Sequence, residues 1–360
     1  MTRRLIAATC AVTALISLPA FSQSNVSVYG VLDTALDFSN QGDGTLSRLQ
    51  SGGAYGSRLG FRGSEDLGGG LKAIFTMEAG IGHDTGTLQQ GGRLFGRQSF
   101  VGMGTPYGTL TMGRQYSPQF YVFSDSDAFG LGHAPGLMMI TRTNATGGTG
   151  FILNSIANTS RLDNTIIYES PTINGFKGRA LYGTKEGTLG HASGASGHYA
   201  NGPLIAGVGY TQLKDGDGVG KWKALTVGGS YLIGNTKVFA GYTRDTDDSS
   251  RTPAGGGASL RFDLTNIGIQ YTVSAALQLL AQVTNVQDKS SNEVGDRDSM
   301  VFGVGAKYTL SKRTTLYTSF GTIDNNNGSA YSLGGGLYTG GPVSGDARAK
   351  TLAVGMVHFF

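Results

Sequence analysis

Apolar and polar residues alternate one by one in stretch after stretch of this chain, and a period of two is the signature of a half-buried β-strand. From Val26 to Phe38, the residues Val26, Val28, Leu32, Leu36 and Phe38 share one face while Ser27, Asp33 and Asp37 share the other. Leu71, Ala73, Phe75 and Met77 alternate with Lys72, Ile74, Thr76 and Glu78. The last segment puts Leu352, Val354, Met356 and Phe360 together. A sheet built this way offers one greasy face and one wet face.

Connections fall into two classes that alternate along the chain. Short ones lie near Ser64 to Gly69, Thr105 to Tyr107, Pro171 to Gly175, Asn201 to Pro203, Gly234-Asn235, Ser274-Ala275 and Lys312-Arg313. Long Gly-, Ser-, Asp- and Asn-rich ones cover 39 to 55, 80 to 94, 117 to 158, 185 to 193, 214 to 220, 246 to 258, 289 to 297 and 324 to 348. An antiparallel membrane barrel with tight periplasmic turns and long external loops requires this alternation; a soluble sandwich does not. The pattern predicts strands at 26–38, 56–64, 70–79, 96–104, 108–116, 160–169, 176–184, 194–200, 204–213, 221–232, 236–245, 259–272, 276–288, 298–309, 314–323 and 350–360. The fold class expected is therefore all-β, a 16-stranded antiparallel transmembrane β-barrel over residues 23–360. At that width side chains cannot fill the middle, so the barrel encloses an aqueous channel.

Composition agrees. There are 60 glycines, 16 Tyr, 17 Phe and 8 Pro in 360 residues, with 14% charged residues against the ≈ 25% usual in soluble domains. Tyr231, Tyr271 and Tyr308 each stand on the apolar parity just before a short turn, and Tyr168 and Phe360 occupy equivalent places. They read as an aromatic girdle at one membrane interface. Arg3 and Arg4, an apolar run from Leu5 to Leu18, and Pro19 before Ala20-Phe21-Ser22 predict an export signal over 1–22. Its removal takes Lys+Arg from 28 to 26 against 24 acids, about +2 net, too weak an excess for a nucleic-acid partner. It also takes away Cys10, the one cysteine, leaving no thiolate site.

Parity then assigns the lumen. Leu59 and Phe61 outside leave Arg58, Gly60 and Arg62 inside. Phe100 outside places Arg97, Ser99 and Val101 inside, and Leu162, Ile166 and Tyr168 outside place Arg161 and Asp163 inside. Arg114 is assigned to the same basic lining. An arginine facing lipid at mid-depth would cost about 2–4 kcal/mol. The longest connection, 117 to 158, mixes Pro118, Tyr121, Phe123, Phe129 and Pro135 with Asp125 and Asp127. Long loops in compact proteins usually have a job; here the expectation is a constriction loop folded into the lumen, presenting Asp125 and Asp127 to the arginines. Carboxylates facing guanidiniums would set a transverse field, and a positive excess would favour anions.

No catalytic residue, metal or cofactor is expected. The histidines His83, His133, His191, His198 and His358 show no paired spacing, and neither H-x-x-x-H nor G-x-S-x-G occurs. An outer-membrane barrel enzyme is the weakest alternative.

Several stretches resemble the general porins of β-proteobacteria. They are Val28-Tyr29-Gly30-Val31-Leu32-Asp33, the run Ser57 to Ala73, Arg97-Gln98-Ser99-Phe100-Val101-Gly102, Gly113-Arg114-Gln115, Asn164 to Pro171, and Gly355-Met356-Val357-His358-Phe359-Phe360. The resemblance implies a trimeric barrel in the outer membrane for passive diffusion of small hydrophilic solutes and ions, in which the third loop constricts each pore and wall bases face it. It puts the wall role on Arg58, Arg97 and Arg161 and the constriction on 117–158. It makes the loop near 80–94 a latch onto a neighbouring subunit and Phe360 the signal read by the barrel-assembly machinery. The partners it implies are two further copies of the chain, outer-membrane lipids with lipopolysaccharide, and small solutes and anions. A substrate-specific porin is the serious alternative, with Trp222 and scattered arginines as its support.

Overall fold

The computed structural model describes residues 25–40, 42, 44–143, 149–151, 160–185, 189–216, 221–248, 260–290, 298–326, 329, 331–333 and 346–360. The expected export signal, 1–22, lies outside them. Sixteen strands close into one antiparallel barrel. In chain order they are Asn25–Asn40, a second strand in two pieces (Thr45–Ser51 and Arg58–Gly68), Leu71–Gly82, Gln98–Thr105, Gly108–Tyr116, Arg161–Glu169, Phe176–Gly183, Leu189–Asn201, Leu204–Asp215, Lys221–Ile233, Thr236–Asp247, Leu260–Thr272, Leu277–Asp288, Ser299–Thr309, Thr314–Asn325 and Ala349–Phe359. Each pairs with its sequence neighbours, and the last pairs with the first from Val31↔Phe359 to Asn40↔Lys350. Closure leaves no unpaired edge, as hydrocarbon demands of a spanning sheet. No helix among the described residues is long and apolar enough to cross a membrane.

The two faces sort as the alternation requires. Val26, Val28, Leu32, Leu36 and Phe38 are exposed on the outside, while Asp33 and Asp37 are fully covered within. Tyr168, Tyr231, Tyr271, Tyr308 and Phe360 are all exposed outward at the end that carries the short turns. The Asp37 carboxylate ties the closing seam, accepting from Arg48 Nε at 3.0 Å and from Thr351 Oγ1 at 2.9 Å.

Four expectations change. The segment read as the loop 39 to 55 contains Thr45–Ser51, which extends the second strand along Thr34 to Asn40. The strand read as 194–200 begins earlier, at Leu189. In Gln98–Thr105 the parity is the reverse of that expected. Val101 shares a face with Phe75 and with the exposed Met112, and Phe100 pairs with Thr76 and Gly113 on the inner side. Both parities there carry apolar residues, so alternation alone could not choose between them. Finally, Leu162 turns inward, because a bulge between Leu162 and Thr165 shifts the register against Gly108–Tyr116.

The inner wall is not uniformly polar. Leu162, Ile167, Leu181, Leu213, Trp222, Ala224, Phe262, Leu264, Val286, Val301 and Ile323 point inward and are buried. They form one cluster with Phe123, Leu131, Leu137 and Ile140 of the long loop. That half of the wall is apolar because it seats protein there and not water.

Candidate functional site: the lumen loop and the arginine wall

The loop begins at Tyr116 and runs through the helix Pro118–Asp125, which starts with proline at its first turn, where the missing N–H costs nothing. Its course is set by glycines on the inner faces of four strands. A Cβ at Gly209 would come within 2.7 Å of the Gln119 Cα, at Gly241 within 2.8 Å of the Ser126 Cβ, at Gly268 within 2.6 Å of the Ala128 Cβ, and at Gly303 within 2.2 Å of the Pro135 Cβ. Inward amides fix the register: Asn266 Nδ2 donates to the Ser126 carbonyl at 2.7 Å, Gln270 Nε2 to the Ala128 carbonyl at 2.6 Å, and the Ala128 N–H donates to Gln282 Oε1 at 2.9 Å.

The far end of the loop meets the interrupted second strand. Asp33 Oδ2 accepts the Ala54 N–H at 2.8 Å and that of Tyr55, and Tyr317 donates to Oδ1, so the segment between Ser51 and Arg58 is drawn inside the barrel. The His133 N–H then donates to the Gly53 carbonyl at 2.9 Å. A Cβ on Gly132 would stand 1.6 Å from the Ala54 carbonyl oxygen, so only glycine permits this approach. The His133 ring lies edge-on to Tyr317 and Phe129, and burial holds its pKa well below the usual histidine range, with Lys307 adding to the shift.

Asp127, expected to face the arginines, does not. Its carboxylate is buried and accepts three loop N–H groups: Phe129 on Oδ1 at 2.9 Å, and Leu131 and Leu137 on Oδ2 at 3.0 and 2.8 Å. Burial pushes its pKa up, against the pull of those donors and of Gln282. Its task is to hold the loop's own turn. Asp125 is partly open and meets His198 Nδ1 at 3.3 Å.

Across the lumen stand the arginines. Arg58 and Arg62 lie inward, in register with Val31 and Ser27. Arg97 precedes its strand and reaches Glu78 Oε1 at 2.6 Å, while Tyr29 donates to Glu78 Oε2 at 3.0 Å. The Tyr116 hydroxyl accepts from Arg97 Nη2 at 3.2 Å and Arg161 Nη2 at 2.7 Å, and the Arg161 guanidinium covers the Tyr116 ring at 4.5 Å. Tyr116 in turn stacks on Phe120 of the loop helix at 4.4 Å. Arg62 sits over Tyr29 at 5.1 Å. Among the described residues, no carboxylate comes within ion-pair distance of Arg58 or Arg161.

Arg114 is a correction. It lies between the inward Gly113 and Gln115, shares its face with Ser99, and points out of the barrel. There Nη1 meets Asp163 Oδ1 at 2.6 Å, and Arg93 from the 80–94 loop meets the same carboxylate at 2.8 Å, so Asp163 is an outer-face residue too.

The sequence reading missed Arg179 and Lys177. Both point inward onto Glu169, at 2.6 and 2.9 Å, and the Arg179 guanidinium covers Tyr121 of the loop helix at 3.9 Å. Counting in steps of two from the lipid-facing Tyr182 puts Ala180, Gly178 and Phe176 outside and so leaves Arg179 and Lys177 inside. Nothing in the spacing of the glycines pointed to the loop they accommodate.

The comparisons with known proteins agree with this architecture. A family model described as Gram-negative porin matches residues 7–328. An outer membrane porin protein of Delftia acidovorans is 30% identical, with 95% of each chain covered. One of Bordetella pertussis is 28% identical over 85% of this chain and 90% of its own. An anion-selective porin from Comamonas acidovorans superposes with a TM-score of 0.77 at 27% identity, covering 94% of this chain and 100% of that one. A trimer form of an outer membrane protein of Vibrio cholerae shares the fold, with a TM-score of 0.68 at 18% identity over 94% of this chain and 99% of that one. A closed sixteen-stranded barrel, greasy without and crossed within by a seated loop, is thus joined to direct kinship along most of its length: the chain belongs to the Gram-negative porins and is an outer-membrane porin.

Proposed function

We propose that the passage left between the lumen loop and the arginine wall is the constriction of a diffusion channel with a modest preference for anions. The observation that carries this reading is that, among the described residues, no carboxylate lies within ion-pair distance of Arg58 or Arg161, whereas Arg97 is neutralised by Glu78. Guanidiniums fixed at a water-filled constriction attract anions and repel cations. Arg62 contributes to the lining nearer the short-turn end, and Asp125 supplies the facing negative charge. The kinship with an anion-selective porin supports the same sign of preference.

The proposal includes a homotrimer, supported by the trimer form of a protein with this fold. It also includes removal of residues 1–22 on export, an outer-leaflet lipid partner, and Phe360 as the residue read by the barrel-assembly machinery. Phe360 is exposed, and its backbone is bonded to Gly30 through both N–H and carbonyl, so the ring stands fixed at the closing seam. Purified protein in planar bilayers tests the core of this reading. Conductance is expected to rise in groups of three equal steps, with a reversal potential on the anion side in a potassium chloride gradient. Isolated single steps would contradict the trimer, and a cation-side potential would contradict the wall assignment.

A further inference from the structure

On the far side of the barrel from the arginine wall, the outer surface carries a second group of cations. Arg244 lies between the inward Thr243 and Asp245 and so faces out, in register with Asp263. Its Nε and Nη2 bond both oxygens of that carboxylate, at 2.8 and 2.9 Å. Arg261 Nη2 and Lys289 Nζ reach Asp263 Oδ2 at 3.4 and 3.3 Å. The carboxylate is covered, 3% exposed, while the three cationic side chains stay 42%, 38% and 44% open. One acid thus gathers three bases and neutralises one of them. Lys223 and Lys214 add positive charge on the same outward parity of the two preceding strands.

The height of this group is fixed by the girdle below it. Tyr271 lies on the same face of the same strand, about 27 Å away at ~3.4 Å per residue. With a strand tilt of roughly 40° that is about 21 Å of height, close to the ≈ 25 Å lipid-facing band. Ile267 and Ile269 fill the interval and are exposed, and Arg244 stands 5.7 Å from the Tyr242 ring. The bases therefore occupy the level of the headgroups at the end of the barrel away from the short turns.

We propose that Arg244, Arg261 and Lys289, gathered by Asp263, form a docking site for the phosphate groups of lipopolysaccharide in the outer leaflet. The inference deepens the lipid partnership proposed above and rests on it. Phosphate oxygens accept from the free donors of Arg261 and Lys289, while the acyl chains lie along the isoleucine face beneath, so charge and apolar area act on one molecule.

The test uses full-length porin stripped of lipid in detergent and titrated with diphosphoryl lipid A. The pair Arg261→Gln with Lys289→Gln leaves the two-bond contact between Arg244 and Asp263 intact. It is expected to bind the lipid about thirty-fold more weakly than the unaltered protein. Dephosphorylated lipid A is expected to bind both proteins weakly and alike, and Arg62→Gln, altered in the lumen, to bind like the unaltered protein. Equal affinity of the double variant, no discrimination against the dephosphorylated lipid, or equal loss in Arg62→Gln would each overturn the proposal. Displacement of the lipid by an equal concentration of inorganic phosphate would also overturn it, by showing a free-anion site. Bilayer conductance of the double variant reads the channel separately, so lost binding with intact conductance places the defect at the outer rim.

Discussion

Replacing Arg58, Arg97 and Arg161 together by glutamine is expected to lower the ratio of chloride to potassium permeability about ten-fold or more. Arg58 and Arg161 have no carboxylate within ion-pair distance among the described residues. A charge held about 6 Å from a passing ion in a water-like medium is worth roughly 0.7 kcal/mol. Two such charges give about 1.4 kcal/mol, a factor of ten in local anion occupancy. The third substitution acts by a different route. Arg97 is already paired with Glu78, so its loss uncovers a lumen carboxylate that then attracts cations. The reversal potential should cross toward the cation side, and Arg97→Gln alone should move it in the same direction. Arg114→Gln should leave it unchanged, because that side chain faces outward onto Asp163. A triple variant that kept the potential of the unaltered protein would remove these residues from the constriction.

Asp127→Ala carries the other large effect. The substitution leaves the N–H groups of Phe129, Leu131 and Leu137 without their acceptor in a buried turn. Each unsatisfied buried donor costs about 1–3 kcal/mol, so the loss of three exceeds what one loop segment can sustain. Docking then fails while the barrel, whose ladder does not involve Asp127, stays closed. Two readouts follow: conductance larger by about two-fold or more as the lumen widens, and protease cleavage between residues 117 and 143 that the unaltered protein resists. Unchanged conductance together with unchanged protease resistance would show that Asp127 does not hold the loop in place.

The architecture was legible because lipid imposes so strict a rule. A strand that must be apolar on every second residue, such as Asn25–Asn40 or Ala349–Phe359, announces both its existence and its orientation. That rule loses force where apolar residues occupy both parities or a bulge intervenes. Ser99, Phe100 and Val101 leave both parities partly apolar, so alternation alone does not separate the inner face of Gln98–Thr105 from the outer one. At Leu162 a single bulge reversed the parity, and no local residue type marks it. The parity of Gln98–Thr105 alone would turn Arg97 outward; it reaches the lumen because it lies ahead of the regular strand, where the turn from the 80–94 loop directs it toward Glu78.

The loop shows a different limit. Aromatic and acidic residues between 117 and 158 marked it as functional, yet the roles of its two aspartates depended on hydrogen bonds that form only once the turn has folded. Asp125 stays open toward His198, and Asp127 is spent on its own backbone. The glycines at 209, 241, 268 and 303 were visible as composition. They gain meaning when sheet register aligns them beneath the loop, a relation among strands far apart in sequence.

Everything rests on the two-residue rhythm dividing water from lipid, and side-chain accessibility measures that division directly. Arg62→Cys on the inner face and Ile267→Cys on the outer face can be compared by adding a charged, water-soluble thiol reagent to single reconstituted channels. Current is expected to fall in the Arg62→Cys channel and to stay constant in the Ile267→Cys channel; block at Ile267 with none at Arg62 would contradict the account.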